Sequence, residues 1–336
     1  MRGPTRLLVG LASCFAACTL GAACGSSGAG SGSGGPGGSD ASSGGSSGSS
    51  GGSSNGGSGS SSGGGSGSSS GRGQGDSGTH PGDGGAAPCK RGIATNMPPS
   101  MGLAPSASQP GVSWWYDWST KGTGGASGVA FVPMIWGSAD LSGPIPTGSA
   151  YVLGFNEPNF KAQSNLTPQQ AAADWPMVEA LAKPLGIPLV SPAVNFCGSS
   201  TNSSGCSDPQ VTDPYTWLKD FFAACTGCEV DYVAVHWYNC DLPSLQGYID
   251  GNGSLQGFVQ FGKPIWLTEF SCDGTHPVAD QQKYMEAAVP YLESNPHVFR
   301  YSWFSSGAIA PAQLMNADGS LTALGTTYVG LPEACH

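Results

Sequence analysis

Eight short runs of apolar and β-branched residues punctuate the chain after residue 90. They read "RGIAT" (91–95), "GVSWWYDW" (111–118), "GVAFVPMIW" (128–136), "AYVLGFNE" (150–157), "IPLVSPAV" (187–194), "VDYVAVHWY" (230–238), "KPIWLTEF" (263–270) and "HVFRYSWF" (297–304). Several are continuously apolar rather than alternating, as parallel strands buried on both faces are. Helical patterns lie between them in the second half. Thr167 and Pro168 supply an N-cap and a first helical residue ahead of "QQAAADWPMVEALAK". Asp213 and Pro214 repeat the device before "YTWLKDFFAAC", and "VADQQKYMEAAVPYLES" (278–294) is a third helix. In the first half, "NMPPSMGLAPSASQP" and "STKGTGGASG" do not read as crossover helices. Eight strands with intervening helices predict an α/β fold, a (β/α)8 TIM barrel over residues 89–336. A doubly wound open sheet is the alternative, but no G-x-G-x-x-G follows the first run.

The chain ahead of this domain has a different character. Residues 1–24 carry Arg2 and Arg6, an apolar run from Leu7 to Ala17, and small residues ending at Cys24. That is a signal-peptide pattern, too short to span a membrane. Its end, "LGAAC", resembles a bacterial lipobox with Leu20 one place early. Lipidation of Cys24 and ordinary cleavage after Ala23 both stay open, giving a cell-surface lipoprotein or a freely exported protein. Residues 25–88 are almost all Gly and Ser. With nothing to bury they are expected to form a disordered tether.

Charge and composition narrow the function. The net charge is −10, with no basic patch, which argues against nucleic acid as a partner. Nine Trp, all beyond residue 113, suit a carbohydrate site, where flat rings stack on sugars. Trp also fills cores, and Trp175, Trp217 and Trp266 are assigned there. Of eleven Cys, Cys14, Cys18 and Cys24 belong to the leader. The remaining ones, at 89, 197, 206, 225, 228, 240, 272 and 335, are even in number, which in an exported chain reads as disulfides. Local pairing of 197 with 206 and 225 with 228 is the economical assignment. Cys240 and Cys272 each follow a strand end, and Cys89 and Cys335 bracket the domain. No second Cys/His pair stands at zinc-ligand spacing to Cys225-x-x-Cys228, so neither a metal nor a cofactor is expected.

A barrel gives the polar residues a shared address, the C-terminal ends of its strands. Trp114 and Trp115 belong to the second strand, Trp136 to the third, and Asn156 and Glu157 to the fourth. His236 and Tyr238 end the sixth, Glu269 the seventh and Trp303 the eighth. Taken alone, Glu157 reads as readily as a helix cap or ion-pair partner as it does as a catalytic group. With Glu269 across the mouth it becomes one of two carboxylates, the pair that glycosidic bond cleavage requires.

"GFNEPN", "VHWY" and "WLTEF" in this order, with "VSWWYDW" upstream, resemble glycoside hydrolase family 128, clan A barrel enzymes acting on β-1,3-glucan. The resemblance runs from about Arg91 to Phe304. It implies a retaining endo-β-1,3-glucanase in which Glu157 is the general acid/base and Glu269 the nucleophile. It further implies that Asn156 binds the hydroxyl beside the anomeric carbon, that His236 and Tyr238 line the nucleophile side, and that Trp303 floors the cleaved subsite. Trp114, Trp115 and Trp136 would complete a substrate-binding wall. The carboxyl groups are then expected about 5–5.5 Å apart, and the Glu157 pKa raised by the Glu269 charge and by burial. Wider clan A enzymes often place an Arg on the second strand, and no Arg stands between 92 and 299 here. Two other functions stay open: a surface glucan-binding protein without turnover, and a hydrolase or transglycosylase on another β-glycan. The partner expected in every case is a polysaccharide or oligosaccharide, and the domain is expected to act as a monomer.

Overall fold

The computed structural model describes residues 89–196, 213–253, 256–333 and 335. The leader over 1–24 with Cys24, the tether over 25–88 and the Cys197–Cys206 pair lie outside the described residues. All eight apolar runs form strands: β1 (Arg91–Ala94), β2 (Trp114–Tyr116), β3 (Ala130–Phe131), β4 (Val152–Leu153), β5 (Leu189–Asn195), β6 (Tyr232–Tyr238), β7 (Ile265–Ser271) and β8 (Val298–Phe304). They make one sheet of order β3-β2-β1-β8-β7-β6-β5-β4, with every named pair parallel. Its outermost strands, β3 and β4, are consecutive in sequence. The chain just past β3 bonds to β4: Ile135 N–H donates to the Leu153 carbonyl and Leu153 N–H to that of Pro133, both at 2.9 Å. The curled sheet is consistent with a (β/α)8 TIM-like fold.

Four of the five helices among the described residues begin at a side-chain N-cap. The five are α1 (Pro168–Ala182), α2 (Pro214–Ala224), α3 (Leu242–Asp250), α4 (Val278–Ser294) and α5 (Ala323–Gly330). In α1 the Thr167 hydroxyl accepts the Gln170 N–H at 3.1 Å, while Gln170 Oε1 accepts the Thr167 N–H at 2.9 Å, a reciprocal capping box. Asp213, Asp241 and Thr322 cap α2, α3 and α5. Between β1 and β4 the described connections carry only a 3-10 turn at Ser138–Asp140, as their Gly and Pro content leads one to expect.

Side chains alternate across each strand, so the core has two layers. The inner one includes Trp114, Tyr116, Met134, Tyr151, Leu153, Tyr232, Ala234 and Trp266. The Arg300 guanidinium lies among these rings, 4.7 Å from the centroid of Tyr151 and 5.1 Å from that of Trp266. The outer layer, between strands and helices, holds Trp115, Trp175, Trp217, Trp237, Leu267 and Trp303. Gly92 is glycine because a Cβ there would lie 2.3 Å from the Trp114 ring.

The two ends of the domain are joined covalently and by charge. Cys89 bonds Cys335, Cys225 bonds Cys228 at the end of α2, and Cys240 bonds Cys272, tying the exits of β6 and β7. Buried Arg91 donates to the carbonyls of Tyr328 and Leu331 at 2.9 Å and of Pro332 at 2.6 Å. It thus satisfies the orphan acceptors at the end of α5. Lys90 does the same for α4 through the carbonyls of Glu293 and Asn295.

Candidate active site

Two local distortions deliver the two glutamates. The first is at the exit of β4. Gly154 backs onto an irregularity in β5 around Pro192, and a Cβ at Gly154 would lie 2.9 Å from the Pro192 nitrogen. Three residues on, Glu157 has a φ of +40° although Pro158 follows it. A residue before proline ordinarily takes the extended region, so this conformation costs on the order of 1–3 kcal/mol. It is held by the Glu157 N–H donating to the Ala193 carbonyl at 2.8 Å and by the Phe160 N–H donating to the Glu157 carbonyl at 2.9 Å.

The second distortion is a bulge in β7. Val235 pairs with Leu267, but His236 pairs with Glu269. On the other side Leu267 pairs with Tyr301, but Phe270 with Trp303. Thr268 is the extra residue, and its carbonyl, freed from the ladder, accepts the hydroxyls of Tyr116 and Ser302. The step returns Glu269 to the inner face that Trp266 occupies, with its side chain over the mouth.

The two side chains, both buried, meet around His236. One oxygen of Glu157, one of Glu269 and a ring nitrogen of His236 all lie within 4.8 Å of one another. His236 Nδ1 is 2.8 Å from Glu157 Oε1 and 3.4 Å from Glu269 Oε2. The Asn195 amide Nδ2 donates to the same Glu157 Oε1 at 2.8 Å. Glu269 collects more donors: Trp118 Nε1 at 2.7 Å and Tyr116 Oη at 3.1 Å reach Oε1, and the Tyr238 hydroxyl donates to Oε2.

This donor asymmetry separates the two carboxyls electrically. Burial pushes the Glu157 pKa up to about 7, with the Asn195 hydrogen bond pulling the other way. Burial rather than the Glu269 charge is therefore the main cause. Glu269 is also raised by burial, while His236, the Tyr238 hydroxyl and the Trp118 N–H pull it down and the Glu157 charge pushes it up. Burial lowers His236, which keeps the ring neutral. Its Nε2 is buried without a partner. A bare acceptor is cheaper to bury than an orphan N–H, so the network assigns the proton to Nδ1, donating to Glu157. Burial holds Tyr116 and Tyr238 well above the ordinary tyrosine range, so both remain hydroxyl donors.

The structure thus brings Glu157, Glu269, His236 and Tyr238 together. Asn156 stands beside them, buried, donating to Gln163 Oε1 at 3.3 Å and leaving its own Oδ1 unpartnered. Trp136 is half-buried against the inner core, its carbonyl accepting the Asn156 N–H at 2.9 Å. The other three tryptophans are elsewhere. Trp303 faces outward on β8 against Phe270 and Tyr328, its Nε1 donating to the Ala312 carbonyl. Trp115 also faces outward, and Trp114 faces inward but packs on Trp266 with its Nε1 on the Lys90 carbonyl. Strand alternation explains all three: each has the wrong parity or the wrong depth for the mouth. Phe304, one residue past Trp303, takes the inner position, edge-on to Trp118 and Tyr238.

Tyr116, Trp118, Asn195 and Phe304 were not singled out in the sequence. The signal for two of them is the alternation 114-116-118 in "SWWYDW", which points Tyr116 and Trp118 to the side of Trp114. Trp118 adds a φ of +61°, which no pattern foretells. Among the described residues, two clusters have the chemistry to ligate a metal. One is Glu157, His236 and Glu269, whose near atoms are engaged by one another and by side-chain donors. The other is Cys89, Glu333 and Cys335, whose sulfurs form a disulfide.

Comparison with known proteins agrees with this geometry. Residues 92–328 match the family model described as glycosyl hydrolase catalytic core. Alkali-sensitive linkage protein 1 of Schizosaccharomyces pombe is 31% identical over 253 residues, covering 71% of this chain and 44% of that protein. The chain therefore spans less than half the length of that relative. A family 128 (subgroup II) endo-β-1,3-glucanase from Sorangium cellulosum is 40% identical, with a TM-score of 0.58 over 73% of this chain and 99% of that one. A subgroup I endo-β-1,3-glucanase from Amycolatopsis mediterranei, solved with laminaritriose, is 26% identical, with a TM-score of 0.55 over 71% of this chain and 98% of that one. With paired glutamates at two strand exits and a family match from 92 to 328, the chain belongs to the glycosyl hydrolase catalytic core family.

Proposed function

We propose that this chain is a retaining endo-β-1,3-glucanase that works by double displacement within a (β/α)8 barrel. The observation that carries the assignment of roles is the unequal supply of donors. Glu269 receives three hydroxyl or indole donors, so it is the carboxyl that ionises and attacks the anomeric carbon. Glu157 has Oε1 fixed by Asn195 and His236, while Oε2 carries no hydrogen bond among the described residues. Raised to about 7, it holds a proton on that oxygen for the leaving glycosidic oxygen. Glycosylation breaks the glycosidic bond, forms the ester to Glu269 and leaves Glu157 ionised. Glu157 then removes a proton from water as the water attacks the same carbon and releases Glu269. Carboxylate oxygens within 4.8 Å of one another suit the close spacing of a retaining pair rather than the wider spacing of an inverting one.

The substrate assignment rests on the family 128 structures, which are named as endo-β-1,3-glucanases. Release of reducing ends from a panel of β-1,3-, β-1,4- and mixed-linkage glucans tests it. Mid-chain cleavage of β-1,3-glucan is expected, and turnover confined to another linkage would overturn the assignment. Export is supported by the sequence of residues 1–24 and by the disulfides, which suit an oxidising compartment. Surface anchoring through Cys24 is tested by labelling with a fatty-acid probe in wild type and Cys24→Ser.

A further inference from the structure

We infer that Asn195, the last residue of β5, is a positioning residue for the acid/base and a recognition residue for the sugar on the leaving-group side. This rests on the proposed role of Glu157. Asn195 is held at its backbone by one side chain working in both directions. Asn159 Oδ1 accepts the Asn195 N–H at 3.2 Å, and Asn159 Nδ2 donates to the Asn195 carbonyl at 2.8 Å. The clamp joins the loop after Glu157 to the end of β5, so the distance between Glu157 and Asn195 is fixed by a short closed circuit.

That circuit sets the amide. A carboxylate oxygen accepts only, so Asn195 must turn Nδ2 toward Glu157 Oε1, where it lies at 2.8 Å. Oδ1 then points away, and it is buried with no donor among the described residues. A buried acceptor without a donor calls for one. A glycan brings hydroxyls, and a hydroxyl donating to Oδ1 fills the vacant bond. Asn195 bonds Glu157 and makes no bond to Glu269. Glu269 attacks the sugar being cleaved and Glu157 protonates the departing oxygen, so a group held on the acid alone faces the departing sugar. Asn156, one residue before Glu157, offers a second buried unpartnered Oδ1. The acid is thus flanked by two acceptors, one past the exit of β4 and one at the end of β5. The sugar that seats its hydroxyl on Asn195 completes the hold on the group that must protonate it.

The test compares kcat/KM across pH for the wild type, Asn195→Ala and Asn159→Ala. One substrate is a β-1,3-gluco-oligosaccharide and the other the dinitrophenyl glycoside of the same glycone, which has no departing sugar and needs no proton. Asn195→Ala is expected to lose about 10- to 100-fold on the oligosaccharide and less than about 3-fold on the aryl glycoside. Its basic limb is expected to move to higher pH, because the lost N–H no longer favours the ionised Glu157. Asn159→Ala keeps the amide but not its anchor, and is expected to show the same substrate pattern with a smaller loss. If Asn195→Ala does not fold, Asn159→Ala carries the same comparison. Equal losses on both substrates with an unmoved limb, or no loss on either, would overturn the inference. Glu157→Ala is measured alongside. If it loses the oligosaccharide but spares the aryl glycoside while the asparagine variants do not follow, the inference alone fails. If it keeps full activity on the oligosaccharide, the reading of Glu157 fails first.

Discussion

Glu157 and Glu269 present carboxylate oxygens within 4.8 Å of one another, with the Nδ1 of His236 within 3.4 Å of both. Burial makes the ionised form of either carboxyl costly there, so one of them carries a proton over the working pH range. Activity should follow from this. Glu157 must be protonated and Glu269 ionised, so kcat/KM is expected to be bell-shaped with its basic limb near the Glu157 value of about 7. The acidic limb belongs to Glu269, whose pKa is raised, and is expected above the ordinary carboxylate range. A pH–rate profile on soluble β-1,3-glucan checks both limbs, and full activity at about pH 9 would contradict the assignment.

The same raised pKa has a stability signature. Between the ordinary value of 4.5 and about 7 the folded protein binds a proton at Glu157 that the unfolded chain does not. Stability therefore falls as pH rises through that window, and the loss is complete above the folded pKa. Glu157→Gln removes the titration. It is expected to match the wild type in stability at about pH 4.5 and to exceed it at about pH 8, by up to about 3 kcal/mol. Thermal unfolding at the two pH values measures it, and a variant less stable than the wild type at the higher pH would contradict the burial cause.

The tryptophans divide by layer. Trp118 donates to Glu269 Oε1, so Trp118→Phe is expected to lower kcat by about 10- to 100-fold and to move the acidic limb upward, with little change in Tm. Trp303 lies in the outer core, so Trp303→Phe is expected to lower Tm through the lost Ala312 bond and lost packing, and to leave KM as it was. Kinetics and melting curves on the two variants separate the layers.

Most of the fold was legible because it rests on local signals. The eight apolar runs, the Thr167–Pro168 and Asp213–Pro214 caps and the 278–294 helix all became elements. Helices α3 and α5 were passed over because they are short, although Asp241 and Thr322 are ordinary caps. The glutamate pair was legible because strand ends are read from sequence order. What failed is what depends on parity and depth. The bulge at Thr268 and the positive φ values of Trp118 and Glu157 shift side chains by one position, and neither leaves a compositional mark. Trp303 was chosen over Phe304, and Trp114 and Trp115 over Tyr116 and Trp118, because parity and depth along β8 and β2 were not read. With no Arg on the second strand, the chain there supplies Glu269 with the neutral donors Tyr116 and Trp118.

Arg91 marks a structural use of charge far along the chain from the site. Its guanidinium satisfies three carbonyls at and beyond the end of α5, the Tyr301 hydroxyl at 3.0 Å and Glu293 at 3.5 Å. Arg91→Met leaves those carbonyls without their donor and removes the Arg91–Glu293 ion pair. A loss of about 3–5 kcal/mol is expected, with kcat of the folded fraction unchanged. Arg91→Lys is expected to recover only part of it, since an ammonium cannot serve so many acceptors in a plane. Denaturant melts of the three proteins measure this, and an Arg91→Met variant as stable as the wild type would contradict it.

The division of labour between the two glutamates is tested most directly by azide rescue of the alanine variants. Both are assayed with an activated aryl β-glycoside, and the anomeric configuration of the product is read by NMR. In Glu157→Ala the nucleophile still forms the glycosyl ester, and azide attacks it from the face the acid/base has vacated, so a β-glycosyl azide is expected. In Glu269→Ala azide enters where the nucleophile stood, so the α-glycosyl azide is expected. The opposite pairing of variants and anomers, or α-azide from both, would contradict the roles assigned to Glu157 and Glu269.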